Sequence, residues 1–219
     1  MAARPKTTNL KVRDEVAALK RERTVGAAAD LFYEKGYDNT TLDAVAERLG
    51  VTKPFIYANF GSKSALLAEI CARGVAAAQD ALDGALSRGA TPTQRLTLFG
   101  ERYVTAVLSN QRLIAVYTRE EKNLDPPDAR RIGNMRRDFF AEMTQLLEAG
   151  RAAGDFAISD PHMAAMAIAG SVSWATFWYR ADGKLTLAQI AESLAQSILG
   201  IAHVREGRRA AKRLRNTQR

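Results

Sequence analysis

Residues 40–63 read TTLDAVAERLGVTKPFIYANFGSK, and this stretch constrains the chain more than any other. Leu42, Val45, Ala46 and Leu49 recur at i, i+3, i+4 and i+7, which puts one apolar stripe on a short helix whose other face carries Asp43, Glu47 and Arg48. Gly50 follows at once, where a helix stops most easily because glycine enters the left-handed region without steric cost. Val51 then plugs the gap to a second helix, and Thr52 offers a hydroxyl to cap it. That helix is brief, Lys53 to Tyr57, with Pro54 in the first turn, where its missing amide hydrogen is not needed. The pattern is a helix-turn-helix, with Ser62 opening a third, supporting helix.

Taken together, Thr41, Ala46, Gly50, Val51, Thr52, Pro54, Tyr57, Phe60, Ser62 and Lys63 resemble the DNA-binding segment of the TetR (tetracycline-repressor) family. The likeness extends back through Ala28, Ala29, Leu31, Phe32 and Gly36, which look like the end of that family's first helix and the glycine that stops it. It implies an all-α fold: an N-terminal three-helix helix-turn-helix domain, plus a six-helix C-terminal domain that dimerises and binds an effector. By position in the family motif, Thr52, Lys53, Pro54 and Phe55 face the bases. Thr41, Tyr57 and Lys63 belong with the phosphate contacts, Thr40 is counted among the DNA-binding residues, and Asn59 matches a further contact position.

Chemistry suits these assignments. A helix in the major groove must reach base edges while neighbouring groups grip phosphates to fix its register. Lys53 is suited to donate to guanine, and Phe55 or Pro54 to pack on a thymine methyl. Thr41 and Lys63 lie at helix starts, where backbone amides and the positive end of the dipole favour an anion. Ile56 supplies the inward side chain, so Phe55 is expected to point outward. Phe60 reads as core, because burying an aromatic contributes more than exposing one. Tyr57 is either an exposed phosphate contact or half buried with only its hydroxyl outside.

The formal charge of +8 is unevenly spread. Residues 1–13 carry +4 and residues 205–219 carry +6, which leaves −2 for everything between. Basicity therefore sits in two expected tails, which either add sequence-independent attraction to phosphates or merely solubilise. With 219 residues the chain suffices for one large or two small domains, and 47% hydrophobic residues give it a real core. The one cysteine, Cys71, reads as packing within a helical apolar pattern and excludes an internal disulfide. Nothing at the start resembles a signal peptide, so a cytoplasmic, nucleoid-associated protein is expected. The uncharged run from His162 to Tyr179 falls short of the ~20 apolar residues that a bilayer requires, so it reads as a buried helix and no membrane partner is expected.

Helical signals continue along the chain, and no stretch reads as a strand. The first helix starts near Asp14 and runs to Lys35. Ser62 opens one that reaches about Arg88, Thr91-Pro92 opens the next, and Gln111 to Glu121 forms a shorter one. Pro126-Pro127 breaks the pattern, so the following helix is expected over 128–153. Asp160-Pro161 and Thr186 start the last two. The expected organisation is a basic tail over 1–13, a DNA-binding domain over 14–66, an effector and dimerisation domain over 67–204, and a basic tail over 205–219.

One reading head recognises too few bases to be selective, so a homodimer on a palindromic duplex is expected. Its interface is sought in the last two helices. Ala164, Ala167, Ala169, Ser171 and Ala175 make one thin, and Leu187, Ile190, Leu194, Ile198 and Ile201 give the other an apolar stripe that otherwise closes the core of a monomer. Candidates for lining a small-molecule effector pocket are Phe99, Tyr103, Tyr117, Phe139, Phe140, Trp174, Phe177 and Trp178. The segment Ser173-Trp174, Phe177 to Arg180 and Gly183 is similar to family members that respond to fatty-acyl or steroid-derived CoA thioesters, and on that resemblance Arg119, Arg136 and Arg137 either meet a CoA phosphate or are simply solvated. An enzyme is disfavoured, since there are two histidines and neither a phosphate-cradling glycine loop nor a nucleophile elbow. No cofactor or metal is expected. The rival reading is a non-specific architectural nucleic-acid-binding protein, which the basic tails would suit.

Overall fold

The structure, a computed structural model, describes residues 7–204, with side chains from residue 15 onward. The basic tail expected over 205–219, and residues 1–6 of the one expected over 1–13, lie outside the described residues. Among those described, nine α-helices and no strand occur. They are α1 (Thr7–Lys35), α2 (Leu42–Leu49), α3 (Lys53–Phe60), α4 (Lys63–Leu86), α5 (Pro92–Ser109), α6 (Gln111–Glu120), α7 (Pro126–Ala152), α8 (Pro161–Trp178) and α9 (Leu187–Ile201). A 3-10 turn, Glu121–Asn123, follows α6.

Local chemistry explains most boundaries. The Thr41 hydroxyl accepts the Ala44 amide at 3.1 Å to start α2, and Gly50, with φ of 64°, ends it by donating to the Ala46 and Glu47 carbonyls. Helices α5 and α9 each open with a reciprocal capping box, Thr91 with Gln94 and Thr186 with Gln189. The Asp160 carboxylate accepts the His162 and Met163 amides at the start of α8.

Three expectations are corrected. Pro126 and Pro127 lie inside the first turn of α7 instead of breaking the helix ahead of Asp128, because first-turn amides have no intrahelical partner and proline loses nothing there. Helix α3 continues past Tyr57 to Phe60. Helix α1 begins at Thr7, ahead of Asp14, within the segment read as a tail.

The chain forms two compact units. The first comprises residues up to Arg73 with Ala115–Ile132, and the second comprises Gly74–Ile114 with residues from Gly133 onward. The unit limits fall within α4, α6 and α7.

In the first unit, Val25, Ala28, Leu31 and Phe32 of α1 are buried together with Val45 and Ala46 of α2, Ile56 and Phe60 of α3, and Leu66, Leu67 and Ile70 of α4. Cys71 belongs to this core, and burial, with the charges of Glu121 and Glu120 behind it, pushes its thiol up to about 12.

In the second unit α9 packs along α5. A Cβ on Gly100 of α5 would stand 3.2 Å from Ala195 of α9, so the missing side chain permits that approach. Phe99 and Tyr103 stack at 5.0 Å, and Phe139 lies 5.6 Å from Tyr103. Ile190 and Ile198 are buried, and Leu187, Leu194 and Ile201 pack half-buried against the same core. Ile190 and Ile198 of the α9 stripe are therefore spent inside the chain, whereas Leu187, Leu194 and Ile201 keep part of their surface outside it. Ala164, Ala169 and Ala175 of α8 face the same core.

Gly100→Val should lower the unfolding free energy by about 1–3 kcal/mol, the usual cost of overpacking, as read by chemical denaturation. Cys71 should resist thiol-specific reagents at pH 8 in the native protein and react fully once denatured.

Candidate nucleic-acid interface

Helix α3 is amphipathic in the sense that matters. Ile56 and Phe60 are buried, whereas Thr52, Lys53, Pro54, Tyr57 and Asn59 are exposed and Phe55 is half-buried. Two buried residues four apart set the roll of the helix, so the remaining face must look outward. The Lys20 ammonium of α1 stands 5.7 Å from the Phe55 ring, which shields one side of it.

Thr52 occupies the cap position of α3 in extended geometry, but its hydroxyl makes no capping bond. The reason is local. Pro54 offers no amide, and the Phe55 amide is already taken by the Thr52 carbonyl at 3.0 Å. The expected cap is thus corrected, and the Thr52 hydroxyl is left to face outward.

Other predicted contact residues are engaged within the protein. The Thr40 side chain is 1% exposed, and its hydroxyl donates to the Gly36 carbonyl at 2.8 Å and lies 3.2 Å from that of Leu31. Thr40 is therefore an internal latch of the α1–α2 loop, which corrects the placement of its side chain among the DNA-binding residues. Thr41 is exposed and caps α2. Lys63 donates to the Tyr37 carbonyl at 2.9 Å and sits 4.2 Å over the Tyr37 ring, so it ties the start of α4 to the same loop. The Asn59 side chain folds back to the Phe55 carbonyl at 2.7 Å. Lys53 donates to the Asp43 carboxylate at 2.5 Å, and this hydrogen bond raises the affinity of its ammonium for the proton.

Several residues that position this face carry no signal in the sequence. Arg21 of α1 donates to the Asn59 carbonyl and to Glu69 of α4, each at 3.0 Å, while its guanidinium lies 4.6 Å from the Phe60 ring. Burial pushes the Glu69 carboxyl up, but hydrogen bonds from Arg21 and Arg73 outweigh it and hold the group below the usual carboxylate range. The segment 115–132 joins the same unit. Glu120 accepts the Tyr37 amide at 3.4 Å, Ser64 donates to Asp125 at 2.6 Å, and the Arg119 guanidinium lies 4.7 Å over the Tyr33 ring.

Of the eight residues proposed for an effector pocket, four are brought together and the other four lie apart from them. Phe99, Tyr103 and Phe139 are buried core with Phe140 packed against them. Tyr117 lies in the first unit. Trp174, Phe177 and Trp178 are 64%, 62% and 46% exposed, because α8 turns Ala165, Ile168, Val172 and Ala175 inward and the aromatics fall on its opposite side. Their assignment to a pocket lining is corrected on that ground. An open groove of about 520 Å³ on the second unit is lined by Ala77, Ala81 and Ala106 with Asp80, Glu101 and Arg102, and shares no residue with the predicted set.

Residues 25–70 match the domain described as bacterial regulatory proteins, tetR family, and residues 89–202 match the tetracyclin repressor-like, C-terminal domain. The Escherichia coli (strain K12) HTH-type transcriptional repressor BdcR is 39% identical over 49 residues, which is 22% of this chain and 25% of that protein. The chain thus matches about a quarter of the length of that curated relative. The TetR family regulator PfmR from Thermus thermophilus superposes with a TM-score of 0.75 at 28% identity, covering 81% of this chain and 97% of that one. AibR, solved in complex with isovaleryl coenzyme A and operator DNA, superposes with a TM-score of 0.71 at 21% identity over 81% and 96% of the two chains. This chain belongs to the TetR family of transcriptional regulators.

Thr40→Val, which keeps the shape and removes the donor, should destabilise the protein by about 1–3 kcal/mol in urea unfolding. Its effect on DNA affinity should disappear at temperatures where the variant remains fully folded.

Proposed function

We propose that the chain is a homodimeric, sequence-specific repressor that releases a palindromic operator when a small hydrophobic metabolite binds. The observation that carries the reading is the outward face of α3, where Thr52, Lys53, Pro54 and Tyr57 stand exposed in one short helix held from behind by Ile56 and Phe60. Thr52, Lys53, Pro54 and Phe55 meet base edges. Thr41 and Tyr57 meet phosphates on either side, while Lys63 and Asn59 position the backbone around them.

A dimer is supported by α8. Met163, Met166, Trp174, Phe177 and Trp178 form an exposed apolar row at helical spacing, and a contiguous apolar patch of this kind marks an interaction surface. Two copies joined there set two α3 helices against grooves ~34 Å apart or a multiple of it. Among the described residues no helix is long and apolar enough to cross a membrane. For the effector, AibR with isovaleryl coenzyme A supports an acyl-CoA as the first class to test. DNA-binding and effector-binding domains of the first and last parts of the chain, near 14–66 and 67–204, remain the working division of labour.

Selection of bound fragments from randomised duplex tests the reading, and equal binding to selected and scrambled DNA would leave an architectural protein instead. Tyr57→Phe should weaken binding to all duplexes alike and lower the log–log salt slope little. Lys63→Ala should weaken all duplexes alike and lower that slope by at most about 1. Trp174→Arg combined with Phe177→Asp should yield a folded monomer by light scattering that no longer holds the operator at micromolar concentration. An acyl-CoA that neither raises the melting temperature nor releases DNA removes that class of effector.

A further inference from the structure

Asp43, on α2, reaches into the face that α3 presents. Its carboxylate holds the Lys53 ammonium at 2.5 Å although the two side chains are 46% and 64% exposed. A pair this exposed adds little to stability, so its consequence lies in direction. An unattached lysine is a compact charge on a flexible four-carbon stem, equally suited to any phosphate oxygen or base acceptor within reach. Anchoring one of its three N–H donors on Asp43 leaves two, aimed by a carboxylate whose own place is set by the backbone of α2.

That anchor is firmly mounted. Asp43 lies in the first turn of α2, where the positive end of the helix favours a carboxylate and Thr41 caps the turn. The Val51 amide donates to the Ala46 carbonyl at 3.0 Å, which locks the turn leading into α3.

We propose that Asp43 is a specificity-determining positioning residue, which points the Lys53 ammonium at the acceptor edge of one base pair and keeps it off the phosphates. The inference rests on the base-reading role of α3 proposed above. The acceptors that fit two directed N–H groups are those of a purine edge, such as guanine O6 and N7. The carboxylate also opposes registers in which Lys53 slides onto the backbone, because it would then be carried toward phosphate oxygens of like charge.

The test uses the full-length protein and its Asp43→Ala, Asp43→Asn, Asp43→Glu, Lys53→Ala and Asp43→Ala/Lys53→Ala variants. Each is put through selection from randomised duplex, then titrated on the selected operator and on a scrambled one across a salt series, with melting curves alongside. If the wild type selects nothing, the DNA-reading function itself fails and Asp43 is not at issue. Given a wild-type preference, Asp43→Ala and Asp43→Asn should flatten it at the same base pair that Lys53→Ala flattens. The ratio of selected to scrambled affinity should fall about tenfold, with scrambled DNA bound more tightly and a steeper salt slope. Asp43→Glu should restore most of the preference, and the double variant should be no worse than Lys53→Ala. The proposal is overturned if the Asp43 variants keep the wild-type profile, alter a base pair that Lys53→Ala leaves alone, or weaken every duplex equally.

Discussion

Burial of Ile56 and Phe60 in the core of the first unit is the constraint on which the outward face of α3 depends. Each such side chain contributes about 1.5–3 kcal/mol when removed from water, so a rotation of α3 that exposed either would be strongly opposed. Once those two are inward, the helical period leaves Thr52, Lys53 and Tyr57 no inward option. Arg21 reinforces the arrangement by holding the end of α3 through a carbonyl, a carboxylate of α4 and the face of Phe60 at once. Planar geometry and five donors suit arginine to that task where lysine would fail.

A second consequence follows from the engagement of polar side chains around the α1–α2 loop. Thr40, Lys63 and Glu120 all bond to backbone groups between Leu31 and Tyr37 or at Thr40's own turn, so the loop is held by side chains from three separate parts of the chain. Groups that look like free contacts in a motif thus serve two ends: they fix where the backbone lies, and only what remains exposed meets a ligand. Regulators that recognise shape as well as bases need such fixed backbone, because phosphate contacts set the register in which base contacts are made.

In the second unit the apolar residues divide by helix phase. Alanine, valine and isoleucine on α8, with Ile190 and Ile198 of α9, are consumed by the core around Phe99, Tyr103 and Phe139. The large residues Trp174, Phe177 and Trp178 are left outside. Aromatic identity alone pointed to a pocket, yet the period of the surrounding small residues decided which side of α8 was buried. The family resemblance and the helix count were legible because capping residues, glycine stops and apolar spacing are local signals. Arg21, Asp43 and the segment 115–132 were not, because a charged residue that bridges helices looks the same in sequence as one that is merely solvated.

What the sequence by itself determined is the all-helical class, the family, and the short helix around Lys53, since each follows from interactions among residues a few positions apart. Tertiary structure decided which threonine is a latch and which a cap, which apolar residues are core and which are left open, and which acid holds Lys53. Those outcomes depend on contacts between residues distant along the chain, such as Lys63 with Tyr37, Arg21 with Glu69 and Gly100 with Ala195. Local periodicity cannot encode them, because it states which side of a helix is apolar but not what that side will meet.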